Sequence, residues 1–190
     1  MHKDSKLTYE IPRFLSFIEL GYMLDAAKIA DAEISKKITE ATGDKNDITG
    51  NTNATRQSLL RSVFVGAYAI LEQNLDEILL IEKKRISASL SPSDLKDRGI
   101  KRSIKYANTV LGKNIDQSKE CWKDLITLQE LRNHLIHYGP SFSNDREHES
   151  RSMKFKALKY VSLRPMICFN LEQIEDIFSL FMVCVDDFNK

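Results

Sequence analysis

The chain has 190 residues, a length that suits one well-buried core and is short for two ordinary domains. Charged residues make up 29% and the hydrophobic set 42%, a globular balance that excludes disordered and fibrous classes. The formal net charge of +1 supplies no overall attraction to nucleic acid or membrane, so either partner would have to be held by a local patch.

The N-terminal segment MHKDSKLTYE is polar and lacks the apolar centre of a secretory signal. From Pro12, apolar residues recur at three- and four-residue spacing through Phe14, Phe17, Ile18, Met23 and Ile29, which predicts a long amphipathic helix stopping near Gly43. The segment Gly43 to Thr55 is rich in Asn, Asp, Thr and Gly, the composition of a mobile, turn-forming loop. A second helix follows to about Ser89, with Leu60, Phe64, Ala67, Leu71, Leu75 and Ile78 forming its apolar stripe. Ser91 and Ser93 around Pro92 signal a third helical region, divided at Gly99 and stopped at Gly112.

The fourth helix is predicted from about Gln117 through Tyr138, ended by Gly139 and Pro140 in the usual order of stop residues. Beyond it, residues 141–150 read as an exposed loop. The segment from Met153 to Phe169 mixes alternation with β-branched and aromatic residues, so one or two short strands are expected before the last helix. Asn170 and Gln173 have the spacing of a capping box that opens that helix. The apolar run Ile177 to Val185 is too short to span a bilayer, so no membrane partner and a cytoplasmic location are expected. Cys121, Cys168 and Cys184 are odd in number and widely spaced, which suits reduced, buried thiols. The fold class that follows is all-α, about five helices with a short extended or β excursion before the last.

Chemistry concentrates in Leu128 to Pro140, LQELRNHLIHYGP. On a helical wheel Cys121, Leu125, Leu128, Leu131, Leu135 and Ile136 share an arc, and Arg132 falls inside it. A guanidinium stays charged when buried, so Arg132 needs a carboxylate, a phosphate or a wet cleft. Glu72, at the edge of the second helix's apolar face, is the candidate carboxylate, and the simplest reading is a structural ion pair. Asn133 and His137 lie one turn apart beside the arginine, whereas His134 falls on the opposite side, as a surface residue would. His134 and His137 at i, i+3 also raise zinc, but no H-E-x-x-H arrangement or nearby cysteine accompanies them, and no metal or cofactor is expected.

The string Arg132-Asn-His-Leu-Ile-His137 resembles the signature of the HEPN superfamily, an arginine, a polar residue and then a histidine near a helix end. The placement is similar too: the motif precedes a Gly-Pro stop and follows a helix carrying an aromatic-Ala-x-Leu-Glu stretch, YAILEQ, in an all-α layout. The resemblance spans about Arg13 to Asp187 as one HEPN-like domain. It departs from the minimal bundle in the segment Met153 to Phe169, and no nucleotidyltransferase-like or sensor domain is attached.

That resemblance implies a metal-independent endoribonuclease acting as a homodimer, in a prokaryotic toxin-antitoxin or antiviral defence setting, with an antitoxin or another protein as regulator. The alternative it implies is a non-catalytic module that binds a nucleotide, RNA or a partner protein. In the cleaving reading His137 moves a proton, Arg132 holds the phosphate, and Asn133 orients one of them; Glu72 and His134 support. Arg98, Lys101, Arg102 and Lys105, at i, i+3, i+4 and i+7, form a basic stripe that would take RNA, or else an ordinary solvated face. Lys154, Lys156 and Lys159, interleaved with Phe155 and Tyr160, offer a second site for backbone contact and base stacking.

Overall fold

Leu60, Phe64, Ala67, Leu71, Leu75 and Ile78 recur every three or four residues, and each is at most 1% exposed in a computed structural model of the chain. The structure describes the backbone of residues 4–40, 45–142 and 148–190, and the side chains of 17–40, 49–142 and 149–190. These apolar residues belong to α2 (Lys45–Ile86), around which the other helices gather: α1 (Asp4–Glu40), α3 (Gly99–Thr109), α4 (Glu120–Tyr138) and α6 (Leu171–Phe188). A 3-10 turn, Pro92–Asp94, precedes α3, and α5 (His148–Lys156) follows α4. The architecture is all-α with one small β excursion, as expected.

Tyr68 on α2 ties the centre together. Its ring meets Phe181 of α6 edge-on, with centroids 5.6 Å apart, and its hydroxyl donates to the Leu125 carbonyl of α4 at 3.1 Å. Burial pushes its phenol well above the ordinary value, so it remains a donor at any working pH. From α4, Trp122, Leu125, Leu128 and Leu131 complete the core, and Trp122 donates to Asp187 near the end of α6. Cys184 is buried, while Cys121 and Cys168 are half-buried; all three are thiols. No helix among the described residues is long and apolar enough to cross a membrane.

Several boundaries differ from the sequence reading. The first helix reaches back to Asp4, so Pro12 lies inside it: the ring removes one amide donor without ending the helix. Its packed stripe runs through Leu20, Met23, Leu24 and Ala27, whereas Phe17 and Ile29 face solvent and the side chain of Phe14 lies outside the described residues. Gly66 explains the register, because a Cβ there would come within 2.9 Å of the Met23 methyl. The expected loop from Gly43 is helical from Lys45 onward, residues 41–44 lying outside the described set. Tertiary contact overrides local propensity there: Arg56 pairs with Asp31 of α1 at 2.6 Å and donates to Ser35. The expected loop at residues 141–150 likewise turns helical at His148, and residues 143–147 lie outside the described set.

The excursion before the last helix is present as β1 (Ser162–Leu163) and β2 (Ile167–Cys168), paired antiparallel with Leu163 opposite Ile167. Gln57 of α2 clamps the residue after β2, accepting from the Phe169 amide and donating to its carbonyl, both at 2.9 Å. Ile167 donates to the Pro140 carbonyl at 2.9 Å, so the excursion anchors the stop of α4. Phe155 and Tyr160 are buried here, which removes them as base-stacking platforms among the lysines of that segment.

Asn170 accepts from the Gln173 amide at 2.7 Å, and Gln173 Oε1 accepts from the Asn170 amide at 3.0 Å, the reciprocal capping box at the start of α6. Asn170→Ala should cost about 1 kcal/mol, a fall in Tm of about 2 to 4 °C. Thermal denaturation checks this, and an unchanged Tm would show that the cap contributes nothing.

Candidate functional site

Arg132 leaves α4 toward α2, and there it meets Glu72, Nη2 to Oε2 at 3.6 Å, with 25% and 22% of the two side chains exposed. At that length the contact is an ion pair without a hydrogen bond. Within the described residues the guanidinium makes one hydrogen bond, from Nη1 to Asn133 Oδ1 at 3.0 Å, and its buried Nε has no partner. The arginine is thus held by its neighbour, balanced by Glu72 and short of acceptors.

One turn further along α2, Asp76 accepts from Arg102 Nη2 at 2.6 Å and from Ser103 Oγ at 3.3 Å. Two carboxylates on α2 therefore face two arginines, one from α3 and one from α4. Burial raises the Glu72 carboxyl above its ordinary value; Arg132 and Arg102 pull it down and Asp76 pushes it up, with burial prevailing. The other carboxylate oxygen of Glu72 lies against Gly99, the first residue of α3, where the positive end of the helix dipole faces it. Gly99 has φ +57°, and a Cβ there would sit 2.6 Å from Glu72 Oε1 and closer still to the Gln129 amide. Only glycine permits both the turn and this approach.

These groups line one polar cleft of about 340 Å³, walled by Glu72, Asp76, Arg98, Gly99, Arg102, Ser103, Gln129, Arg132, Asn133 and His137. Arg132, Asn133 and His137, predicted to act together, do share it, and Glu72 joins them. His137 is exposed in the last turn of α4. Larger cavities of about 530 and 620 Å³ lie elsewhere, but neither contains a histidine among the described residues. The cleft stands out for its donors and acceptors, not its size.

The basic stripe divides. Arg98 and Arg102 enter the cleft; Lys101 points to solvent, and Lys105 pairs with Asp97 at 2.7 Å. Arg98 precedes α3 as its N-cap, so helical spacing does not place it, and α3 buries Ile100, Ser103, Ile104 and Ala107 beside the stripe, turning Arg102 toward Asp76. The four side chains are therefore not one uncompensated surface.

His134, expected on a surface side of α4, is only 2% exposed. The chain after α4 folds over that side: Nε2 lies 3.1 Å from the Ser141 carbonyl, and the ring packs against Phe142 at 4.7 Å and Phe155 at 5.9 Å. His134 is buried and bonded whereas His137 is exposed, and no group of three potential metal ligands forms among the described residues. Ile136, placed in the apolar arc, is 49% exposed, because burial along α4 ends at His134.

Sequence reasoning missed Asp76, Gly99, Ser103 and Gln129. Asp76 was within reach, since it lies at i+4 from Glu72 and shares its face. Gln129 is 8% exposed and its Oε1 has no partner among the described residues, while its amide nitrogen approaches the Arg98 carbonyl at 3.5 Å. Comparisons with protein-family models, curated proteins and solved structures found no match to this chain.

A carboxyl raised by burial favours folding when protonated. Its penalty is present at neutral pH and is relieved as pH falls through the raised value toward the ordinary 4.5. Glu72→Gln removes that penalty but strips Arg132 of its counter-charge, so the two effects oppose. The Tm at pH 7 should stay within about 3 °C of the wild type, a span of about 1 kcal/mol for a chain of this size. Any advantage of the variant should shrink as pH is lowered toward 4.5. A large loss of stability at pH 7 would show that Glu72 is a net stabilising partner instead.

Proposed function

We propose that this chain is a HEPN-type endoribonuclease that cleaves RNA without a metal ion, the cleft around Arg132 being its active site. The observation that carries the reading is the convergence of an incompletely partnered guanidinium, Asn133 and an exposed His137 in one polar cleft. An arginine short of acceptors beside a titratable group suits a phosphodiester: the guanidinium holds the non-bridging oxygens and offsets their growing charge. The acids on α2 face arginines, so their role is to position the cations.

The reaction is an internal transesterification. The ribose 2′-oxygen forms a bond to phosphorus, the bond from phosphorus to the 5′-oxygen breaks, one proton leaves the 2′-hydroxyl and one reaches the 5′-oxygen. His137 transfers a proton at one of these oxygens, since an imidazole can both donate and accept one through its ring nitrogens. Asn133, whose Oδ1 accepts from Arg132, positions that arginine. Arg98 and Arg102 supply the cleft with further charge for the strand, Arg102 steadied by Asp76.

Ile136, 49% exposed beside His137, gives the motif end of α4 an apolar rim, which supports a homodimer closing over the cleft. The family resemblance supports a toxin-antitoxin or antiviral setting, in which a protein regulator would cover this rim, and a cytoplasmic location.

Purified protein incubated with RNA in EDTA should yield 2′,3′-cyclic phosphate and 5′-hydroxyl ends. His137→Ala should lower the rate by about 10²-fold or more with an unchanged Tm, because the ring is exposed. Arg132→Ala should abolish cleavage and also disturb the contact with α2. Activity that EDTA removes, or full activity in His137→Ala, would contradict the assignment; RNA binding without cleavage would identify a binding module.

A further inference from the structure

Asn133 and His137 also line a second cavity, of about 440 Å³, with Glu130, His134, Tyr138, Ser150, Arg151 and Lys154. The two residues therefore stand in the wall between two cavities. That arrangement has a chemical meaning for the reading above, on which this inference rests. An internucleotide phosphate has a nucleoside on each side, so a group that transfers a proton there stands between two subsites.

The two cavities differ in character. The first is lined by no Phe, Tyr or Trp among the described residues and carries three arginines, Arg98, Arg102 and Arg132, which suits ribose and phosphate. The second contains Tyr138, the last helical residue of α4 and 44% exposed, with the Arg151 guanidinium over its ring 5.5 Å from the centroid. The His134 ring centroid lies 5.4 Å from that of Tyr138, and His134 is itself held by the Ser141 carbonyl, Phe142 and Phe155. Tyr138 thus packs against a buried, bonded ring. Aromatic rings and guanidinium planes are the two protein surfaces on which an unpaired base stacks.

We propose that the second cavity is a nucleobase subsite in which the base adjoining the scissile phosphate stacks on the Tyr138 and Arg151 pair. The strand then crosses the Asn133 and His137 wall, with its phosphate over that wall and the neighbouring ribose in the arginine-lined cleft. Lys154, paired with Glu130 at 3.0 Å on the cavity wall, lies where the backbone leaves. The subsite requires an unpaired base, so single-stranded RNA is the substrate class.

The test uses the full chain carrying His137→Ala, which binds without cutting, and oligoribonucleotides with one 2-aminopurine at successive positions. One position should be quenched on binding. Adding Tyr138→Ala should abolish that quenching and weaken binding at least about tenfold, whereas Tyr138→Phe should retain both. Unchanged affinity in Tyr138→Ala, equal losses in the Ala and Phe variants, no quenched position, or no RNA binding would each overturn the subsite. Tyr138-dependent binding by a wild-type chain that does not cut would defeat the cleavage reading and leave the subsite standing. Cleavage indifferent to Tyr138→Ala would do the reverse.

Discussion

A guanidinium that is three-quarters withdrawn from water keeps its charge, and the neighbourhood of Arg132 is arranged around that constraint. Glu72 balances it from α2, Asn133 takes one of its hydrogens, and Gly99 has the only side chain small enough to let Glu72 and Gln129 approach. Asp76 and Arg102 repeat the arrangement one turn away and lock α3 to α2. The cleft is what remains where these charged groups keep three helices from closing into an apolar contact. Burying them costs stability, as the raised Glu72 carboxyl shows, and an apolar core would avoid that cost. Retaining such a cluster at the end of the motif helix suits a site that must receive an anion.

The scaffold that holds this cluster is conventional. The stripe of α2 from Leu60 to Ile78 forms the centre; Tyr68 binds α2 to α4, and Trp122 binds α4 to α6, by hydrogen bonds as well as by packing. The small hairpin has a positional role, since the Ile167 amide holds the Pro140 carbonyl and so fixes where α4 ends. His134 does the same from inside, through the Ser141 carbonyl. Motif residues on the final turn of a helix would otherwise fray. Here that turn is secured on both sides.

Much of this was legible in the sequence. The α2 stripe, the Asn170 and Gln173 box and the Gly139 stop follow from local spacing, which the helix preserves, and the need of a guanidinium in an apolar arc for a carboxylate pointed to the contact of Arg132 with Glu72. What failed depended on a distant segment that no such need announced. The wheel made His134 a surface residue because it could not reveal that Phe142 and Phe155 pack against it. Composition made residues 45–55 a loop because the anchoring of Arg56 to Asp31 is a contact between helices. The basic residues at i, i+3, i+4 and i+7 looked equivalent until Asp76 and Asp97 each claimed one of them.

The central claim is that Arg132 is a phosphate ligand and not only half of a scaffold ion pair. A crystal structure of the His137→Ala chain with a short single-stranded oligoribonucleotide tests it most directly. A phosphate oxygen should lie within hydrogen-bonding distance of the Arg132 guanidinium, with Glu72 still beside it and the flanking nucleosides divided between the two cavities. RNA seated elsewhere, with Arg132 facing Glu72 alone, would contradict the account.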